Sequence, residues 1–238
     1  MIAPFMVAYA LLGLLWLVWL LGLLSDSYAR NLAVSLSNFL GAYALWWVAA
    51  RSPAIVRPAL GGLAAGLLFL GVGDLLFTYN VATGIGTQAI REVIYLVGVA
   101  LFLLMGTLLP FRMEGHGFYP LGFFQRLALV AVLGGVLLSA LTTLIRPLSL
   151  IELIYAGVAF YLTLLFVQQT PVLAGGRIGR YLQGVVWALV LGSLARVIYV
   201  LGGVPPALWS IVVYDILWML AMSVLLLGVN RTPAPKNP

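Results

Sequence analysis

Three ionisable residues lie inside long apolar stretches of the sequence, and their side chains are the best candidates for chemistry. Asp74, Arg196 and Asp215 each have mostly hydrophobic neighbours on both sides. A charge deep in a bilayer costs about 3 kcal/mol on insertion scales, so it is retained where it is paired, hydrated or functional. We therefore expect these residues to form either a ligand-binding site or an ion pair that locks the protein together.

Other polar and aromatic residues are predicted to lie on the same, non-cytoplasmic side of the membrane. The candidate ligand-binding set consists of Asp74, Arg196, Asp215, Tyr79, Glu92, Tyr95, Asn38, Glu152, Tyr199 and Tyr214. Two interpretations of the set stay open. In the first, it forms a polar pocket for a solute, an ion or a lipid headgroup. In the second, Arg196 forms a structural ion pair with Asp74 or with Asp215.

The sequence offers few residues for catalysis. It contains no cysteine, which excludes a thiol nucleophile and a disulfide frame. The single histidine, His116, is predicted to lie in a loop, so a serine–histidine–aspartate arrangement is not expected. We predict no catalytic residues, no metal site and no cofactor, and the balance of these observations is against an enzyme.

The composition is that of a membrane protein. Of the 238 residues, 64% are hydrophobic and 8% are charged, and the mean hydropathy is +1.15. A soluble domain does not need this much apolar surface, whereas a bilayer protein needs it in its core and on its lipid-facing side. The net charge of +6 comes without any basic run, so no nucleic-acid partner is expected.

Apolar stretches of about 20 residues are long enough to cross the hydrocarbon core. Each must be helical, because the bilayer interior offers no water to the backbone. The fold class is therefore predicted to be all-α, a polytopic membrane bundle of eight transmembrane helices. A single transmembrane domain covers 1–230, and a disordered cytoplasmic tail covers 231–238. The predicted spans are 3–24, 31–50, 58–79, 90–109, 123–144, 149–168, 181–202 and 208–229.

The basic residues predict the orientation of the chain. If the N-terminus is cytoplasmic, eight arginines and lysines fall on that side and four on the other. Cytoplasmic loops carry the excess of basic residues in membrane proteins. We therefore expect a multi-pass protein of the cell inner membrane, with both termini in the cytoplasm.

A weak internal repeat is the next feature. An offset of 122 residues aligns Gly62 with Gly184 and Asp74 with Arg196. It predicts two parallel halves, 1–110 and 123–230, whose third and seventh spans are central and contact each other. The alternative is that small residues at i and i+4 recur in membrane helices without any repeat.

The stretches GDLLFTYNVATG, EVIYLVGVALFLLMG and YDILWMLAMSVLLLG carry a resemblance to a known class of domain. They resemble the multi-pass membrane sensor domains that precede bacterial diguanylate cyclases and histidine kinases. The chain ends at Pro238 without an output domain, so the resemblance implies a signal passed to a partner in trans.

These observations lead to an ordered set of functions. The first is a membrane sensory or ligand-binding protein that acts through a protein partner or as a homo-oligomer, with a small polar ligand or a lipid headgroup. The alternative is a transporter of a small solute or ion, because a parallel two-half repeat suits alternating access. The third is a membrane-embedded lipid enzyme.

Overall fold

The computed structural model describes residues 3–25, 27–86, 88–114, 177–202 and 207–229. This part of the chain forms six helices. The predicted spans 123–144 and 149–168 and the predicted tail 231–238 lie outside the described residues. The helices are α1 (Ala3–Ser25), α2 (Ser27–Arg51), α3 (Arg57–Thr83), α4 (Gln88–Glu114), α5 (Arg177–Leu201) and α6 (Leu208–Val229).

Five of these helices, α1, α2, α3, α5 and α6, are long and apolar enough to cross a membrane. Large hydrophobic side chains stay exposed along them, including Leu17, Leu20, Trp187 and Leu227. Such a surface is stable in lipid and not in water. The helices therefore indicate a membrane-spanning protein, as the composition predicts. The remaining helix, α4, carries charged residues near both of its ends.

The connection between α3 and α4 is set by a glycine. Gly84 adopts a left-handed backbone conformation, with φ at 71°, and its N–H donates to the carbonyl oxygen of Asn80 at 2.8 Å. This arrangement closes the C-terminus of a helix and reverses the chain, and glycine adopts it without steric cost. As a result, α4 runs back along α3.

The interior of the bundle is polar toward one end and apolar toward the other, and the two ends are named for this interior. At one end α2, α4 and α6 begin and α3 and α5 end, and we call it the polar end. At the opposite end, which we call the apolar end, α1 begins and α6 finishes. Leu45, Leu60, Leu63, Tyr181 and Leu226 form part of a single buried hydrophobic core near the apolar end.

The helix at the centre of the described bundle is α2, which packs against α1, α3 and α6. The other extensive contacts join α3 to α4 and α5 to α6. The third and seventh predicted spans are α3 and α5. No extensive backbone contact joins these two helices in the described part of the chain; each packs along the helix that follows it, and both line the same cavity.

Small residues explain this packing. A Cβ added to Gly66 of α3 would lie 3.1 Å from the carbonyl oxygen of Gly98 on α4. A Cβ added to Gly184 of α5 would lie 3.7 Å from the carbonyl oxygen of Val224 on α6. Close backbone approach replaces the hydrophobic effect as the force between membrane helices. The small residues of α3 and α5 therefore form the packing surface for the next helix in the sequence.

Candidate functional site

Asp74 is held by uncharged donors from two neighbouring helices. One carboxylate oxygen accepts a hydrogen bond from the Asn38 side-chain amide of α2 at 2.8 Å. The other accepts from the hydroxyl of Tyr95 on α4. A buried carboxylate is tolerated when its oxygens are hydrogen-bonded. Asp74 therefore ties α2, α3 and α4 together on the polar side of the middle of the bundle.

The same network continues to α6. The side-chain oxygen of Asn38 accepts a hydrogen bond from the indole N–H of Trp218 at 2.7 Å. Asn38 is completely buried, so both ends of its amide need partners. The chain of hydrogen bonds from Tyr95 through Asp74 and Asn38 to Trp218 therefore connects four helices.

Asp215 forms a buried ion pair. Its Oδ2 lies 2.9 Å from Nε of Arg30 on α2, and the exposed fractions of the two side chains are 5% and 9%. The same oxygen accepts a hydrogen bond from the indole N–H of Trp19 on α1 at 3.3 Å. These contacts hold α1, α2 and α6 together at the polar end.

The pairing predicted for Arg196 is therefore wrong in both of its versions. Within the described part of the chain, neither Asp74 nor Asp215 forms an ion pair with it inside 4 Å. Each aspartate is instead satisfied by groups on α2. The guanidinium of Arg196 lies 5.4 Å from the ring centre of Tyr199, at a distance suited to a cation–π contact.

Aromatic rings connect α5 to α6 at the same level. The ring centres of Tyr199 and Tyr214 are 5.4 Å apart. Tyr214 stacks on Trp218, with ring centres 5.9 Å apart and planes inclined by 13°. Such ring pairs are favourable beyond their buried area. They join the Arg196 region to the hydrogen-bond network of Asp74.

These groups surround a cavity of about 630 Å³ between α2, α3, α4, α5 and α6. Charged and polar side chains line it toward the polar end, and aliphatic side chains line it toward the apolar end. Its size is that of a pocket for a drug-sized molecule. Seven residues of the predicted set line it: Asp74, Arg196, Asp215, Glu92, Tyr95, Tyr199 and Tyr214.

The other three predicted residues have different positions. Asn38 is buried behind the cavity wall, where it orients Asp74. Tyr79 is on the exposed side of α3, away from the groups that hold Asp74. Glu152 lies outside the described residues.

Three important residues were not in the predicted set. Arg30 lies just outside the predicted span 31–50, but it is buried in α2 and shares a helical face with Val34 and Asn38, at spacings of four and eight residues. That spacing is the signal that could have found it. Trp218 similarly follows Tyr214 at i+4. Trp19 had no comparable signal, because its surroundings in α1 are apolar throughout.

Metal binding has no visible site in this part of the protein. Within the described helices, no group of three histidine, cysteine, aspartate or glutamate residues could hold a metal ion. Carboxylates of the cavity are instead engaged by tyrosine, asparagine, tryptophan and arginine. The arrangement is suited to binding a polar group by hydrogen bonds and charge.

Comparison with protein-family models, curated proteins and solved structures gave no match to this chain.

Proposed function

We propose that this protein is a membrane receptor that binds a ligand in the cavity and passes the state of the site to a partner protein. The observation that carries the proposal is the convergence of charged side chains from five helices at one end of a 630 Å³ cavity. A large, mostly apolar pocket with a few convergent polar groups is typical of a ligand site.

A purely structural role for these groups would explain the ion pair but not the cavity beside it. The Arg30–Asp215 pair could serve only to lock helices. The pocket beside it is different, because a concave and mostly apolar pocket with charged groups at one end has the usual form of a ligand site. Occupation by a ligand explains both the space and the charges that face it.

The hydrogen-bond network offers a way to transmit binding. Asp74 lines the cavity and is bonded to groups on α2 and α4, and Asn38 extends the link to α6. A ligand that competes for Asp74 or Tyr95 changes the relative stability of these helix contacts. Differential affinity for two such arrangements is what couples a ligand to a conformational change.

The proposed orientation has the polar end outside the cell inner membrane and both termini in the cytoplasm. It is supported by Arg51, Arg57, Arg177 and Arg180, which are at the apolar end of the described helices. Basic residues are concentrated on the cytoplasmic side of membrane proteins. Three arginines of the polar end differ from these, because their side chains line the cavity.

We also retain the proposal of two parallel halves with four helices each. The glycine-mediated packing of α3 on α4 and of α5 on α6 supports it. An experimental structure of the whole chain tests it directly. Superposition of 1–110 on 123–230 is the expected result, and a different helix order in the two halves contradicts it.

A transporter is the second candidate, and the cavity itself supports it. The pocket contains both acidic and basic groups within the span, as the pathway of a solute or ion does. Purified protein in sealed proteoliposomes separates the two functions. Uptake of a labelled solute by this chain alone supports the transporter and contradicts a receptor that needs a partner.

Native mass spectrometry of protein extracted from its own membrane in mild detergent tests the receptor. Three forms are compared: wild type, Val99→Phe and Val93→Phe. Val99 lines the cavity and is 4% exposed, whereas Val93 is on the outer face of the same helix and is 62% exposed. The same substitution therefore fills the cavity in one variant and changes only the lipid face in the other.

The expected result is a bound small molecule and a stoichiometric partner protein in wild type and in Val93→Phe. Val99→Phe should lose the small molecule and bind a changed amount of partner. Identical spectra for all three forms would show that the cavity is not the binding site. Loss of the small molecule with no change in the partner would remove the signalling part of the proposal.

A further inference from the structure

The cavity lies across the middle of the bundle. On α3 its lining extends from Leu63 to Thr78, whereas the helix itself extends from Arg57 to Thr83. A ligand in this cavity is therefore enclosed by the part of the protein that crosses the membrane interior. Each charge on such a ligand needs a partner of opposite sign, because an unpaired charge is costly in these surroundings.

The lining changes from apolar to polar along the bundle axis. On α3, Leu70 lines the apolar part and Asp74 lines the polar part. On α6, Leu225 lines the apolar part and Tyr214 lines the polar part. The two helices run in opposite directions, so this order reflects the position of each residue in the bundle. The ligand that fits such a lining has an apolar group at one end and polar groups at the other.

Asp74 offers the cavity a carboxylate that no adjacent positive charge neutralises. Its two oxygens accept hydrogen bonds from Asn38 and Tyr95, which are uncharged donors. In the part of the chain that the structure describes, no basic side chain lies within 4 Å of it. The two oxygens of a carboxylate have about four acceptor sites, so Asp74 can accept further hydrogen bonds. An ammonium group is the donor that also supplies the opposite charge.

Arg91 offers the cavity a positive charge. Its guanidinium lies 5.2 Å from the ring centre of Phe77, and its Nε is buried without a hydrogen-bond partner among the described residues. No carboxylate of the described helices lies within 4 Å of it. A guanidinium binds a carboxylate through two parallel hydrogen bonds. An acid group on the ligand would therefore satisfy Arg91.

The other charged side chains of the lining have interactions of their own. Arg30 and Asp215 form the buried ion pair described above. Glu92 and Arg196 each interact with another group of the protein. The guanidinium of Arg196 also lies 5.4 Å from the ring centre of Tyr199. These four residues are therefore not needed to bind the charges of a ligand.

Asp74 and Arg91 are separated by about one helical turn along the bundle. Arg91 precedes Tyr95, the hydrogen-bond partner of Asp74 on α4, by four residues, and it lies over Phe77, three residues after Asp74. Four residues of an α-helix rise about 6 Å. Arg91 is therefore nearer the polar end, and the apolar part of the cavity begins on the other side of Asp74. The site presents, in order, a partner for an acid group, a partner for an ammonium group and an apolar surface.

We propose that the ligand is an α-amino acid with a large apolar side chain. Its carboxylate binds Arg91, its ammonium group binds Asp74, and its side chain occupies the apolar part of the cavity. The inference rests on the receptor function proposed above and names the chemical class of the ligand. An α-amino acid carries these three groups on one carbon atom, so its two charges are close enough to reach partners one turn apart. Both charges are then paired inside the membrane. The volume of about 630 Å³ admits a large side chain.

Four soluble probes separate the three parts of the site. Phenylalanine carries all three groups. Phenylpropionate lacks the ammonium group, phenylethylamine lacks the carboxylate, and glycine lacks the apolar side chain. Purified full-length protein in a non-ionic detergent is titrated with each probe at neutral pH. Isothermal titration calorimetry gives the affinity, and native mass spectrometry gives the number of molecules bound.

We expect one phenylalanine per chain, bound at least about tenfold more tightly than any partial probe, a difference of about 1.4 kcal/mol. Val99→Phe fills the apolar part of the cavity and should weaken phenylalanine by at least a similar factor. Val93→Phe places the same side chain on the outer face of the same helix and should bind as wild type does.

Two charge variants should give a crossed pattern. Asp74→Asn should weaken phenylalanine at least about tenfold and leave phenylpropionate unchanged, because phenylpropionate has no ammonium group. Arg91→Gln should weaken phenylalanine similarly and leave phenylethylamine unchanged. A damaged fold would weaken every probe, so it does not produce this pattern. Arg51→Gln changes an exposed arginine at the apolar end and is the matched control.

The other outcomes overturn the proposal in different ways. If glycine binds as tightly as phenylalanine, the apolar part of the cavity is not used. If phenylpropionate or phenylethylamine binds as tightly, one of the two charges is not recognised. If no probe binds, or if the two charge variants affect all probes equally, the amino-acid inference is wrong. The receptor function fails as well only if Val99→Phe leaves the native complex unchanged.

Discussion

The side-chain amide of Asn38 donates a hydrogen bond to the carboxylate of Asp74 at 2.8 Å, and this donor is uncharged. Asp74 thus lines a cavity without being neutralised by an adjacent ion pair in the described part of the chain. Its oxygens are oriented by Asn38 and Tyr95, which makes them available to a positively charged group in the cavity. Asp215, paired with Arg30, is less available.

The hydroxyl of Tyr95 is expected to stabilise the fold through Asp74. Tyr95→Phe removes this donor and leaves a carboxylate oxygen with one partner fewer. We expect the free energy of unfolding to fall by about 1.5–3 kcal/mol, the usual contribution of a hydrogen bond to a charged group. Thermal unfolding in detergent measures the change.

Tyr79→Phe is the matched control for this substitution. Tyr79 is exposed on α3, so the loss of its hydroxyl should change stability by no more than about 0.5 kcal/mol. Equal effects of the two substitutions would show that the bond from Tyr95 to Asp74 contributes nothing of its own.

The indole of Trp218 is expected to stabilise the fold through its N–H as well as through its ring. Trp218→Phe retains an aromatic ring to stack on Tyr214 but leaves the Asn38 side-chain oxygen without its donor. We expect a loss of about 1–3 kcal/mol. Trp209→Phe changes an exposed tryptophan of the same helix and should be close to neutral. A large effect at both positions would point to ring size rather than the hydrogen bond.

The ion pair of Arg30 with Asp215 is expected to contribute far more to the free energy of unfolding than a contact of an exposed arginine does. Arg30→Leu leaves a buried carboxylate without its counter-charge, which costs about 3–5 kcal/mol. The double variant Arg30→Leu/Asp215→Leu should recover most of this loss, because it buries no unpaired charge. Denaturant unfolding of the two single variants and the double variant gives the coupling energy.

Arg51→Leu provides the comparison for that cycle. The guanidinium of Arg51 lies 3.3 Å from the ring centre of Trp47, but the residue is exposed. An exposed cation–π contact contributes about 0.5–1 kcal/mol. If Arg30→Leu costs no more than Arg51→Leu, the buried pair is not structural.

Hydrophobic length in the sequence was sufficient to locate the five described helices that are long and apolar enough to cross a membrane. The spans 58–79 and 208–229 correspond to α3 and α6, whose ends are set by turn residues such as Gly84. Asp74, Tyr95, Arg196 and Asp215, which the sequence assigns to one candidate site, line the same cavity in the structure.

The partner of each charged residue could not be predicted from hydrophobic length. Arg196 was the obvious partner for an aspartate because it is the most deeply placed arginine in the sequence. The actual partner, Arg30, depends on how α2 is rotated and on its packing against α6. Apolar periodicity gives little information on the rotation of α6, which is hydrophobic on all sides. Polar spacing within α2, from Arg30 to Asn38, would have been the better guide.

The packing of α3 on α4 predicts opposite effects for two glycines of one helix. A Cβ added to Gly66 would lie 3.0 Å from the ring of Phe102 and 3.1 Å from a backbone oxygen of α4. The two helices must separate to admit it, and we expect Gly66→Ala to destabilise the protein by about 1–3 kcal/mol. Gly61→Ala meets no atom within 4 Å and should be neutral or stabilising by about 0.5–1 kcal/mol. Thermal unfolding of both variants decides, and a destabilising Gly61→Ala would show that helix packing is not the cause.

The orientation of the bundle predicts which connections can be labelled from each side of the membrane. The natural chain contains no cysteine, so a single introduced thiol reports its own position. Gly86→Cys lies in the exposed connection between α3 and α4 at the polar end. Ala54→Cys lies in the exposed connection between α2 and α3 at the opposite end. A membrane-impermeant maleimide added to intact cells should label the first and spare the second, and permeabilised cells should show both.

Labelling of Ala54→Cys alone in intact cells would show that the orientation is the reverse of the one proposed. The polar end of the cavity would then face the cytoplasm.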